Sequence, residues 1–221
     1  MKEQIESILP QLNHDDEIVI SDDCSGDDTL TVIRTFQDSR IRLLESRSEK
    51  GITRNFEASL KASRGDFIFL ADQDDVWLPG KVTRMKQALK TYDLVMSDCR
   101  LVNDALQVQQ DSFYNLNRSG KGLIRNLIRN SYMGCCMAFT SGLKNRALPF
   151  PADIPMHDFW IGLIGELYFR VHFMSEALVL HRRHDSNASS SGASSPNPIN
   201  EKIVQRYRLI KNLIIHKSYA G

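Results

Sequence analysis

The stretch Phe67-Ile68-Phe69-Leu70-Ala71-Asp72-Gln73-Asp74-Asp75-Val76-Trp77-Leu78-Pro79 runs four apolar residues without alternation into three acids within four positions. An unbroken apolar run suits a strand covered on both faces, the habit of parallel sheets. Comparable runs stand at Ile18-Val19-Ile20, Ile41-Arg42-Leu43-Leu44 and Leu94-Val95-Met96. Their spacing of about 25 residues is too long for hairpins and long enough for a helical crossover. The segments between them read as helices: Leu30, Ile33, Arg34 and Phe36 after a turn, Ile52, Phe56 and Leu60 on one face, and Val82, Met85, Ala88 and Leu89 entered through Pro79. The pattern predicts an α/β fold with a Rossmann-like, mostly parallel sheet and helices on both faces.

The second half predicts an extension of that sheet in mixed sense. Residues 101–108 suit two short strands, 121–130 a helix, 136–140 a strand, 157–169 a helix, and 171–174 and 177–181 two further strands. Residues 186–200 are rich in Ser, Asn and Pro and read as a linker. Beyond them Ile203, Tyr207, Ile210 and Ile214 recur at helical spacing. The chain opens directly with a helical pattern, Ile5, Ile8, Leu9 and Leu12, whereas nucleotide-binding α/β sheets usually begin with a strand. The expected organisation is one domain over 1–187, a flexible linker over 188–198 and an amphipathic helix over 199–221.

Composition narrows the function. The chain has 221 residues with 28 Lys and Arg against 27 acids, a net charge of +1, so nucleic acid is not expected as a partner. The four cysteines form no CxxC pair, and Cys135 and Cys136 are adjacent, which suggests neither a zinc site nor a disulfide framework. No apolar run approaches a membrane span, and Met1 is followed by Lys-Glu-Gln rather than a signal-type stretch, so the expected location is cytoplasmic.

In an open parallel sheet the ligand lies beyond the carboxyl ends of the strands. Three such ends carry acids here: Asp22-Asp23, Asp72-Gln73-Asp74-Asp75 and Asp98. Asp27 and Asp28 read as turn and cap residues, and Asp98 as a structural strand end. The group at 72–75 is different. Carboxylates crowded there repel one another unless a cation is present, and they are apt hard-oxygen ligands for Mg²⁺ or Mn²⁺.

Taken together, Val19-Ile20-Ser21-Asp22-Asp23-Cys24-Ser25, Lys50-Gly51-Ile52-Thr53-Arg54-Asn55, Ala62-Ser63-Arg64-Gly65-Asp66 and the stretch from Phe69 to Pro79 resemble, in order and spacing, the inverting family 2 glycosyltransferases of GT-A fold. Met156-His157-Asp158-Phe159-Trp160 looks like that family's acidic catalytic motif, and Arg182-Arg183-His184 like its basic, histidine-bearing segment. The variants Trp-Leu-Pro and His-Asp-x-Trp look most like bacterial rhamnosyltransferases of polysaccharide assembly.

The resemblance implies a role for each matching residue. Asp23, with Asp22 beside it, contacts the base of a dTDP- or UDP-sugar donor. Asp72 and Asp74 are the paired acids around ribose and metal, Asp75 is a further metal ligand, Arg54 and His184 face the diphosphate, and Asp158 is the general base. The acceptor is a saccharide or lipid-linked saccharide, and the basic apolar segment 199–221 suits peripheral contact with the inner membrane face. Packing of its stripe on the domain is the other reading. Two departures stand out: Cys24 occupies a position commonly Gly, and the family's opening strand, which lines the base pocket, is expected before Lys2 but not found there.

Several readings stay open from the residues alone. Trp77 and Trp160 either stack on sugars or pack in the core. Gly134-Cys135-Cys136 resembles the family's acceptor-side segment, although packing accounts for such small residues equally. A degenerate nucleotide-binding domain without activity is an alternative function. A metal-dependent phosphohydrolase is another, disfavoured by a metal set poor in His and by the Asp22-Asp23 turn.

Overall fold

A computed structural model describes residues 1–45, 51–183 and 198–218. Helix α1 (Lys2–Ile8) passes into a 3-10 turn at Leu9–Gln11, where Pro10 sits in the first turn and its missing N–H removes no bond. Strands β1 (Ile18–Asp22) and β2 (Ile41–Glu45), joined by α2 (Thr29–Thr35), pair in parallel with Ile18 opposite Ile41. This is the expected βαβ unit. Helix α3 (Ile52–Ala62) then leads to β3 (Phe67–Phe69).

From there the chain builds a second sheet. It comprises β3, β4 (Val76–Trp77), β5 (Leu94–Val102), β6 (Val108–Gln110), β7 (Met137–Thr140) and β8 (Val171–Arg182), in the order β3-β7-β5-β8-β4 with β6 against β5. Helices α4 (Lys81–Leu89), α5 (Phe113–Asn117), α6 (Leu123–Ile128), α7 (Ser141–Ala147) and α8 (His157–Tyr168) cover it, and α9 (Ile199–Ser218) closes the described chain.

The α/β class and the mixed extension hold, with a difference of detail. Parallel register is kept by β1–β2 and β5–β8, whereas β3, β4, β6 and β7 pair antiparallel. Continuous apolar runs report burial on two faces, not the direction of the neighbour. The two strands expected over 171–181 are one: Met96 pairs with Phe173 and Asp98 with Ala177, so the polar break at Ser175-Glu176 is absorbed as a bulge.

The core lies between the second sheet and α8. Leu94, Met96, Phe139, Leu143 and Trp160 are fully buried, and the Trp160 indole donates to Ala147 O at 2.9 Å, which assigns that tryptophan to packing. A Cβ on Gly162 would stand 2.2 Å from the Tyr132 ring, so only glycine lets Tyr132 lie against α8 and donate to Glu166 Oε1 at 2.7 Å. Helix α9 packs through Leu209 and Leu213, while Ile203, Tyr207, Ile210 and Ile214 are 63, 66, 43 and 66% exposed. The stripe picked out by periodicity therefore faces away from the domain. The linker expected over 188–198 falls almost wholly outside the described residues, as do the last residues of the expected 199–221 segment.

Among the described residues β1 pairs only with β2 and β3 only with β7. Both strands line one cavity of about 1290 Å³, together with α1, α3 and the start of α8.

Candidate active site

The carboxyl ends of β1 and β3 meet this cavity, as the sheet topology requires. The turn after β1 is fixed by Asp22 Oδ2, which accepts Ser25 N–H at 3.0 Å, and by Asp23 Oδ2, which accepts Gly51 N–H at 3.0 Å. Cys24, at the tip, has φ +64°, a left-handed conformation that costs an L-residue about 1–2 kcal/mol and that glycine adopts more easily. Asn55 Nδ2 donates to Ser21 O at 2.8 Å, tying α3 to the strand end. On the opposite side the Gln4 side-chain amide donates to Asp72 O, and Ser7 Oγ accepts Trp77 N–H at 3.0 Å, so α1 braces the acidic loop.

The acids divide. Asp72 and Asp74 line the cavity. Burial, followed by the charges of Asp75, Asp158 and Asp74, pushes the Asp72 carboxyl up to about 7, with His181 opposing. Asp75 turns inward, is wholly buried, and accepts from His181 Nδ1 at 2.9 and 3.2 Å and from Arg182 N–H at 3.1 Å. Burial alone would lower the His181 pKa, but the hydrogen bond and charge of Asp75, with Cys136 and Asp72, outweigh it and raise it to about 9. Lys81, also fully buried, donates to Cys135 O at 2.5 Å and lies 4.3 Å over the Trp77 ring. Burial draws its pKa down.

Asp158 stands across the cavity at the start of α8. Its Oδ1 accepts the Phe159 N–H at 2.6 Å and its Oδ2 the Gly134 N–H at 3.1 Å. Burial raises its carboxyl to about 6 despite those donors. A carboxylate with such a pKa is ionised near neutrality and accepts a proton more readily than a solvated one.

Two kinds of metal chemistry can be weighed on this donor set. Asp72 and Asp74 offer hard oxygens at a site with excess negative charge, which fits Mg²⁺ or Mn²⁺. The ligand atoms of Asp75, Cys135 and His181 also lie within 4.8 Å of one another, but buried sulfur and imidazole do not suit Mg²⁺. Asp75 is thus engaged by His181 and by the Arg182 N–H, while its charge still bears on Asp72.

The other expected residues take varied places. Arg54 pairs with Glu57 Oε2 at 2.5 Å and reaches Phe150 O at 3.5 Å, bridging α3 to the segment before α8. His184 lies outside the described residues. Asp98 accepts Cys99 N–H, Tyr114 N–H and Ser112 Oγ–H at 2.8, 3.0 and 2.5 Å, a structural anchor. Sequence reasoning missed the roles of His181 and Lys81, whose signal is weak because their partners come from distant elements.

Comparison with known proteins agrees with this geometry. Residues 1–148 match the model of glycosyl transferase family 2, and the chain belongs to that family: it is a glycosyltransferase. One relative, UDP-Glc:alpha-D-GlcNAc-diphosphoundecaprenol beta-1,3-glucosyltransferase WfaP of Escherichia coli, is 33% identical over 181 residues, covering 76% of this chain and 70% of that protein. Another, dTDP-rhamnosyl transferase RfbG of Shigella flexneri, is 26% identical over 215 residues, 88% and 72% of the two chains. Among solved structures, S. aureus TarS 1–349 in complex with UDP-GlcNAc superposes with TM-score 0.70 at 19% identity, covering 95% of this chain and 62% of that one. That likeness is one of fold, and it places the architecture in the GT-A type. No helix among the described residues is long and apolar enough to cross a membrane.

Proposed function

We propose that the chain transfers a hexosyl group from a UDP-sugar to a hydroxyl of a lipid-linked saccharide, with inversion at the anomeric carbon. The observation that carries this reading is Asp158: a carboxylate raised to about 6, aimed by two backbone N–H groups, on the wall of the same cavity as Asp72. Glucose is favoured over the expected rhamnose as the transferred sugar because the relative at 33% identity is a glucosyltransferase and the rhamnosyl relative is at 26%.

In the proposed reaction Asp158 accepts the proton of the attacking hydroxyl, and one base suffices because the leaving nucleoside diphosphate needs no proton. Asp23 and Asn55 border the side where the nucleoside would lie. Asp72 and Asp74 would hold Mg²⁺ or Mn²⁺, which when bound neutralises charge on the diphosphate. Arg54 pairs with Glu57 across one turn of α3. The reading includes contact of α9 with an anionic membrane surface, supported by its exposed apolar stripe and by Lys202, Arg206, Arg208, Lys211 and Lys217 against Glu201.

The test is UDP release from UDP-glucose with Mg²⁺, with and without an α-N-acetylglucosaminyl diphospholipid. Acceptor-dependent release with a glycosylated lipid product is expected. Release independent of acceptor would mark a hydrolase, and release from dTDP-rhamnose alone would reassign the donor.

A further inference from the structure

The cavity wall contains a polar side chain with nothing to bond. His157, the first residue of α8, is 2% exposed, and neither ring nitrogen meets a partner among the described residues. Buried polar groups in folded proteins are paired almost without exception, so an orphan beside a cavity points to a ligand atom that completes it. The ring is held in place: Phe56 of α3 stacks on it at 3.7 Å between centroids and 15° between planes. Burial keeps it neutral, its pKa drawn down to about 3, so one nitrogen donates and the other accepts.

Gly134 shows where the orphan points. A Cβ built there would lie 3.3 Å from His157 Nε2, 3.7 Å from Asp158 Cβ and 3.9 Å from Asp158 Oδ2. His157 Nε2 and the Asp158 carboxylate therefore both pack close to the Gly134 backbone, side by side on the cavity wall. The Gly134 N–H itself holds Asp158 Oδ2 at 3.1 Å.

We infer that His157 is a positioning residue for the acceptor: its Nε2 hydrogen-bonds the sugar hydroxyl adjacent to the one that Asp158 deprotonates. Neighbouring hydroxyls on a pyranose are close enough for the two side chains to engage one each. The bond orients the nucleophile and makes transfer depend on a hydroxyl that does not react. This rests on the reading of Asp158 as the base.

Two variants separate this role from packing. His157→Leu removes both nitrogens at similar volume, and His157→Gln returns an amide near the position of Nε2. The probes are UDP-glucose, an α-N-acetylglucosaminyl diphospholipid and its mono-deoxy analogues. For His157→Leu the expected results are a melting temperature no lower than wild type, unchanged UDP-glucose affinity, and acceptor kcat/KM down about 10- to 100-fold. One deoxy analogue should be a poor acceptor for the wild type and no worse than the parent acceptor for His157→Leu, and His157→Gln should recover part of the loss. Acceptor kcat/KM within about twofold of wild type in His157→Leu, a melting temperature that falls in step with activity, or a loss in UDP-glucose affinity would each overturn it. If the wild type transfers nothing, the transferase reading fails separately. Calorimetric acceptor binding then decides: weaker in His157→Leu and retained in His157→Gln supports the contact from His157, and equal binding in all three refutes it.

Discussion

Replacing Asp75 with Asn distinguishes a buried ion-pair anchor from the metal ligand expected from the sequence. The carboxylate is wholly buried and meets His181 Nδ1 at 2.9 Å and Arg182 N–H at 3.1 Å. Asparagine keeps an oxygen for Arg182 but removes the charge facing His181. The His181 pKa of about 9, against 6.5 for an ordinary imidazole, makes the interaction worth about 2–3 kcal/mol at pH 7. For a chain of this size that is a fall in Tm of about 4–12 °C. The sign with pH follows from the raised value. The contribution is full below about 6.5, where the unfolded imidazole is also protonated, and disappears as pH rises through about 9. Thermal melts of wild type and Asp75→Asn at pH 6, 7.5 and 9.5 should therefore show a gap that narrows with pH. Equal melting at pH 6, with divalent-cation affinity lost in the variant, would refute the anchor and return Asp75 to the metal.

Other outcomes follow from the same geometry. Asp74→Ala should weaken UDP binding in the presence of Mn²⁺ and abolish its dependence on the cation, read by calorimetry with and without EDTA; equal wild-type affinity in EDTA would contradict the assignment. Because β1 and β3 both line the cavity with edges unpaired among the described residues and Met1 borders it, an apolar strand-forming extension of about 10 to 20 residues before Met1 should raise Tm and UDP affinity together. An unchanged melt would show that these edges do not take up a further strand. Truncation before Ile199 should reduce sedimentation with anionic vesicles but not with neutral ones, and undiminished binding would remove α9 from the membrane contact.

The place of the candidate site was legible because several of its residues stand at element ends. Asp72, Asp74 and Asp158 stand where a strand or helix end meets the cavity, and a period in the sequence marks such ends. The partner of Asp75 was not legible: His181 lies 106 residues away on β8, and the antiparallel pairing of Val76 with Leu180 is what brings it beside Asp75. Arg54 has no single reading in the sequence, because a cation at a helix start suits a phosphate and an ion pair equally; in the fold it pairs with the buried Glu57 one turn on. In α9 two apolar lines run along one helix. Periodicity favoured Ile203, Tyr207, Ile210 and Ile214, whereas the shorter pair Leu209 and Leu213 finds the core. Strand direction, too, has no mark in an apolar run, so the antiparallel places of β3 and β7 emerged only from their pairing.

The base assignment is tested most directly by steady-state transfer with Asp158→Asn. Asn can still accept from one of the two backbone N–H groups that hold the carboxylate, so the protein should fold and bind UDP-glucose near wild-type strength. The wild type should lose kcat/KM below about pH 6 as Asp158 is protonated, and the variant should turn over about 10² to 10⁴ times more slowly across the range. A folded Asp158→Asn protein with wild-type turnover and the same acid limb would contradict the central claim.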